Sequence, residues 1–131
     1  ARAYGMFGHV QNSEALSAAN RNLSNNLNVK RTPVGKLAAG AYAELAYDLF
    51  QFTPRQEEQQ CYLFGRAEWY DSMLRTEGTI SDNPRYERRV WTAGLNYFPH
   101  PSIVLKGQYA WRTLGSGERE NTLALGFGFD F

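Results

Sequence analysis

Cysteine is nearly absent from this 131-residue chain: Cys61 stands alone, so neither an intrachain disulfide nor a cysteine-built metal site can form. An excess of one charge is missing too. Fourteen Lys and Arg against thirteen Asp and Glu leave a formal net charge of +1, which gives no field that would point to nucleic acid. No run approaches the ~18–20 consecutive apolar residues of a transmembrane helix, so a helical membrane span is excluded. A transmembrane β-strand is not excluded, because it needs only ~9–11 residues and alternates apolar with polar. The opening ARAYGMFGHV lacks a basic start followed by an apolar run, so no leader is read in it. Catalytic patterns are also lacking. His9 and His100 lie far apart, Glu57 and Glu58 sit beside Arg55 and glutamines as an ordinary solvated turn, and no Ser-His-Asp set, phosphate loop or metal-ligand spacing occurs. The chain is read as neither an enzyme nor a binder of metal or cofactor.

What the chain has is alternation. Six segments rich in aromatic and small apolar residues at period two read as strands, over 1–10, 36–51, 61–72, 88–98, 103–113 and 122–131. All five prolines fall in connections, where no ladder hydrogen bond is lost. The connections alternate in length: long at 11–35 and 74–87, short at 52–60 and 99–102, intermediate at 115–121. This is the order of an up-and-down meander with elaborated loops at one end. The 11–35 connection is expected to be a long extracellular loop holding a short helix, since SEALSAANRNL follows a candidate N-cap at Ser13.

The alternation sorts residues by face. Leu123, Leu125, Phe127, Phe129 and Phe131 oppose Thr122, Ala124, Gly126, Gly128 and Asp130. In the same way Ile103, Leu105, Tyr109 and Trp111 oppose Lys106, Gln108 and Arg112. Leu63, Ala67 and Trp69 oppose Arg66 and Glu68, and Leu45, Tyr47 and Leu49 oppose Glu44 and Asp48. The first strand is ambiguous between Tyr4 with Met6 and Phe7 with Ala3. With the short turns at one end, Trp69, Trp91 and Trp111 fall at one height near the long loops, and Tyr47, Tyr97, Phe129 and Phe131 near the short turns. Two aromatic rings around an apolar band are what amphipathic rings do at the two interfaces of a bilayer. Glu44, Asp48, Arg66, Glu68, Lys106, Gln108, Arg112 and Asp130 would then line a lumen, because charges buried without partners cost several kcal/mol each.

The ending GFGFDF, with Gly126, Phe127, Phe129 and Phe131, is similar to the C-terminal assembly signal of bacterial outer-membrane proteins. The segments FGRAEWYDS and AGLNYFPHPSIVLKGQYAWR, with the closing strand, resemble the last strands of porins of the phosphate-selective O/P type. The resemblance covers 36–131. It implies a bacterial outer-membrane location, contact with lipid and lipopolysaccharide, and recognition by the outer-membrane assembly machinery through Gly126, Phe127, Phe129 and Phe131. The name of that family implies anion preference, whereas the inferred lumen face here carries both signs.

The expected fold is therefore all-β, an antiparallel up-and-down transmembrane β-barrel with about six strands in residues 1–131. Six strands are too few to close a bacterial barrel, which has 8 or more. The chain is thus expected to be the C-terminal part of a larger barrel, the alternatives being completion by copies or other chains, or strands missed in 11–35. The expected function is a porin passing small hydrophilic solutes. Two others stand beside it: a structural barrel that encloses or docks a partner protein, and a soluble lipocalin-like ligand-binding barrel.

Overall fold

The computed structural model describes residues 1–22, 33–51 and 59–130. Phe131, Arg55, Glu57 and Glu58 lie outside them. The chain is all-β, with six strands: β1 Arg2–His9, β2 Leu37–Asp48, β3 Gln60–Arg75, β4 Glu87–His100, β5 Ile103–Leu114 and β6 Arg119–Phe129. They form one sheet in sequence order, every neighbouring pair antiparallel. The sheet is open, with β1 and β6 at its two edges. No helix among the described residues is long and apolar enough to cross a membrane.

Cross-strand partners share a face, so the register carries the face assignment through the whole sheet. Phe7 pairs with Ala39, which pairs with Asp71, and Tyr4 pairs with Tyr42. The ambiguity of the first strand is thereby resolved: Ala3, Gly5 and Phe7 belong to the apolar face, Tyr4 and Met6 to the polar one. The apolar face is the open one. Leu125 is 80% exposed, Leu45 70% and Trp91 64%. On the polar face Phe64 is 7% exposed, and Val90 and Thr92 are 5%. A sheet whose charged face is the more crowded is curled toward that face. Gly94 makes room for the crowding, since a Cβ there would stand 2.5 Å from Phe64 Cζ and 2.8 Å from Gln108 Cβ.

One helix, α1 (Ser13–Asn22), lies in the long first connection, with Glu14 in its first turn and Arg21 in its last, the arrangement that complements a helix dipole. Asn12 enters it with φ 54°, a left-handed conformation that Asn tolerates, and its carbonyl accepts from Leu16 N–H at 3.0 Å. The Ser13 hydroxyl does not turn back to the helix; it donates to Glu77 Oε2 at 3.2 Å. A 3₁₀ turn at Pro84–Tyr86 leads into β4, with Asn83 Oδ1 accepting from Arg85 N–H at 3.1 Å.

Candidate functional site

On the polar face two ion pairs join direct cross-strand neighbours. Glu44 is in register with Arg66, and its Oε2 accepts from Arg66 Nη2 at 2.7 Å and Nε at 3.0 Å. The guanidinium also lies over the Tyr42 ring, 5.2 Å from its centroid, and over Phe64 at 5.8 Å. Tyr42 stacks in turn against Tyr4, centroids 4.7 Å apart. Arg112 is in register with Glu120 and donates to its Oε2 through Nη1 at 3.1 Å; its Nε is buried with no partner among the described residues. Glu44 with Arg66 and Arg112 with Glu120 are therefore two charge pairs within the wall, each built on one ladder rung.

The remaining expected lumen residues take different roles. Glu68 is half-buried beside Tyr42 and Val90 in the register. Asp48 accepts from Phe50 N–H at 3.0 Å and shapes the turn after β2. Gln108 lies between Gly94 and Ala124, next to the Phe64 ring. Lys106 is exposed between Asn96 and Gly126. Asp130 is exposed past the end of β6, its N–H donating to the Ser102 carbonyl at 2.8 Å.

On the apolar face Phe7, the three tryptophans, Tyr47, Tyr97 and Phe129 fall on two inclined lines, with Tyr109 and Phe127 off them. Trp91 and Trp111 are direct partners, whereas Trp69 pairs with Arg89, two residues nearer the long loops. Phe7, on the level of Asp71, is two residues higher again and two strands earlier. Tyr47 is on the level of Leu63 and Leu95, Tyr97 two residues lower, and Phe129 two lower still. Both lines descend toward the short turns by one residue per strand on average, in the same direction. Along the ladder rungs the three tryptophans thus lie on this staircase rather than on one rung.

The loop end is laced together. Glu77 accepts from Lys36 Nζ at 2.8 Å and from the Ser13 hydroxyl, which ties the 11–35 connection to the 76–86 connection. The lysine bond, chiefly, holds the Glu77 carboxyl below the usual carboxylate range. Glu14 Oε1 accepts from Thr79 N–H at 3.0 Å and from its hydroxyl at 3.2 Å. The Ser17 hydroxyl accepts from Val34 N–H at 2.9 Å. Arg85 reaches Glu118 at 2.9 Å, joining the next connection. The three arginines within NPRYERR, residues 83–89, go to separate partners: Arg85 to Glu118, Arg89 to Glu87 at 2.8 Å, and Arg88 over the Tyr70 ring at 5.9 Å.

Sequence reasoning missed Glu120, because the last strand was begun at 122, and it missed the Gly94 slot for Phe64. A glycine facing an aromatic across one hairpin was the signal available for the slot. Among the described residues no three His, Cys, Asp or Glu cluster as a metal site. Cys61 is buried, and its carbonyl accepts from Leu49 N–H at 2.7 Å.

No protein-family model matches the chain, and no solved structure matches it. An uncharacterized protein of Aquifex aeolicus (strain VF5) is 30% identical over 74 residues, which are 56% of this chain. Those residues make up 16% of that protein, so the chain spans about a sixth of the length of the relative it resembles.

Proposed function

We propose that the chain is a wall segment of a transmembrane β-barrel in a bacterial outer membrane, part of a larger barrel that passes small hydrophilic solutes by diffusion. The observation that carries this reading is the inclination of the two aromatic lines. One residue per strand is a step of ~3.3 Å for each ~4.8 Å of lateral spacing, a strand tilt of about 35°, within the ~35–45° of membrane barrels. A bilayer cutting tilted strands demands such a staircase, whereas the core of a soluble sheet demands none.

The open apolar face supports a lipid-facing outside, and the paired charges support a polar inside. The edges of β1 and β6 need partners, since an unpaired ladder in lipid has no water to satisfy it. Further strands of a longer chain supply them most simply, and a relative of which the matched stretch is 16% has room for such strands. The mixed charges of the inner face favour no one sign of ion, so phosphate selectivity is not proposed.

Phe64 lying over Gly94 favours a second reading, a structural barrel whose interior is filled, with or without a docked protein. Planar-bilayer recording separates the two: stepwise ion currents support the channel, and an inserted barrel that carries none overturns it. Monodispersity without detergent would overturn the membrane reading altogether and leave the soluble barrel.

A further inference from the structure

A line of π faces crosses the polar face of the sheet. Tyr4 stacks on Tyr42 with centroids 4.7 Å apart, and the Arg66 guanidinium lies over the Tyr42 ring at 5.2 Å and the Phe64 ring at 5.8 Å. Tyr4 ends the line and is 58% exposed, so much of its ring is open. The line passes mid-height. Arg66 stands midway along β3 between Trp69, on the upper aromatic line, and Leu63, which is level with Tyr47 on the lower one. A solute crossing a channel built on this wall has to pass it.

We infer that this is a binding subsite for a neutral hydroxylated ring, a sugar, whose C–H face stacks on Tyr4 while its hydroxyls meet Glu44 and Arg66. The inference rests on the channel reading and names the class of solute. Charge excludes a preference for ions. The two rungs that hold the site carry, across the whole sheet, Arg2, Arg66 and Arg112 against Glu44, Glu68 and Glu120, so neither sign is in surplus. Reach fits a sugar: Glu44 is the diagonal cross-strand neighbour of Tyr4, a separation of about 7–8 Å that one ring with its hydroxyls spans. Hydrogen-bonding capacity fits as well. Arg66 gives Nε and Nη2 to a single oxygen of Glu44, and a guanidinium has five N–H donors and a carboxylate about four lone-pair sites, so donors and acceptors remain side by side. A hydroxyl both donates and accepts, and several on one rim match such a pair. A flat aromatic solute would stack on Tyr4 equally well, but it would cover the ion pair and leave those groups without water or partner, which costs free energy. An apolar ring face beside a few placed polar groups is the usual build of a small-molecule site, and pore selectivity is set by such linings.

The test records ion current through the full-length protein in planar bilayers while maltohexaose, inorganic phosphate or a polyethylene glycol of matching size is added. Maltohexaose should block the current in a saturable way, and the other two should block it more weakly. The sugar concentration giving half the block should rise several-fold in Tyr4→Leu and stay near that of the parent in Tyr4→Phe, because the ring rather than its hydroxyl makes the stack; Tyr4 is exposed, so both variants keep the fold. A steady current that the sugar does not change overturns the subsite and leaves the channel reading standing. Equal block by the polyethylene glycol reduces the effect to size and overturns it too, as does a half-blocking concentration in Tyr4→Leu equal to the parent's. Stronger block by phosphate overturns the neutral solute and makes the line an anion site. An inserted barrel without any current defeats the channel reading, and the subsite with it.

Discussion

Glu44 and Arg66 face each other across one rung of the β2–β3 ladder, with the Arg66 Nη2 to Glu44 Oε2 distance 2.7 Å and side chains only 18% and 31% exposed. The pair is held rather than merely near, because Tyr42 and Phe64 carry the guanidinium between their rings. Arg66→Ala should therefore cost about 1–3 kcal/mol, since it strands a half-buried carboxylate. A double-mutant cycle with Glu44→Gln should recover a coupling of about 0.5–2 kcal/mol in urea unfolding. Additive effects of the two substitutions would remove the pair from the account of wall stability.

Gly94 is required for space. Gly94→Ala should destabilise by about 1–3 kcal/mol through overpacking against Phe64, and Phe64→Leu in the same chain should return part of the loss. Unfolding midpoints of the two single variants and the double variant check this. By contrast Gly65, whose added Cβ would meet nothing within 4 Å, should accept alanine with little change.

Acid should loosen the helix α1. The Glu77 carboxyl is depressed in the folded protein, chiefly by Lys36, so its contribution is complete above the ordinary carboxylate range and disappears as pH falls through the depressed folded value. Amide exchange in α1 should accelerate at acid pH ahead of exchange in β3 and β4. Glu77→Gln should show fast exchange at neutral pH as well, with the acid step reduced.

A charge on the apolar face should block insertion. Leu125→Arg places a guanidinium at one of the most exposed apolar positions, with an expected cost of about 2–4 kcal/mol if that position lies at mid-bilayer. Ala124→Ser, on the opposite face of the same strand, should change stability by no more than about 0.5 kcal/mol. Folded yield in lipid vesicles compares them. Equal yields would contradict an outward-facing Leu125.

Much of the sheet is legible in the sequence, and the reason is physical. In β2 to β6 large apolar side chains alternate with small or charged ones, so period two marks both strand and face. In β1, Ala3, Gly5 and Gly8 leave Tyr4, Met6 and Phe7 on opposite sides with no clear majority, and only pairing with β2 decides. The ends of β3 and β4 run past the alternating stretch, to Arg75 and from Glu87, because backbone pairing continues where side-chain patterning stops. The charged residues of the inner face could be named in advance, but their partners could not. Whether Arg66 meets Glu44 or Glu68 depends on register, and register follows from the whole ladder. The ties of Glu14 to Thr79 and Lys36 to Glu77 join residues 65 and 41 positions apart, and no periodicity announces them.

The strand order has a consequence for how such a wall is made. Every ladder joins neighbours in sequence, so each hairpin can close without waiting for a distant segment, and loop-closure entropy is met in small instalments. Contacts that skip a strand lace the loop end, from α1 to Glu77 and Thr79 and from Arg85 to Glu118, and at the other end Phe50 meets the Tyr97 ring edge-on across β3. Construction should then proceed strand by strand from the turns, and the lacing of the loops should be the final event that fixes the curvature.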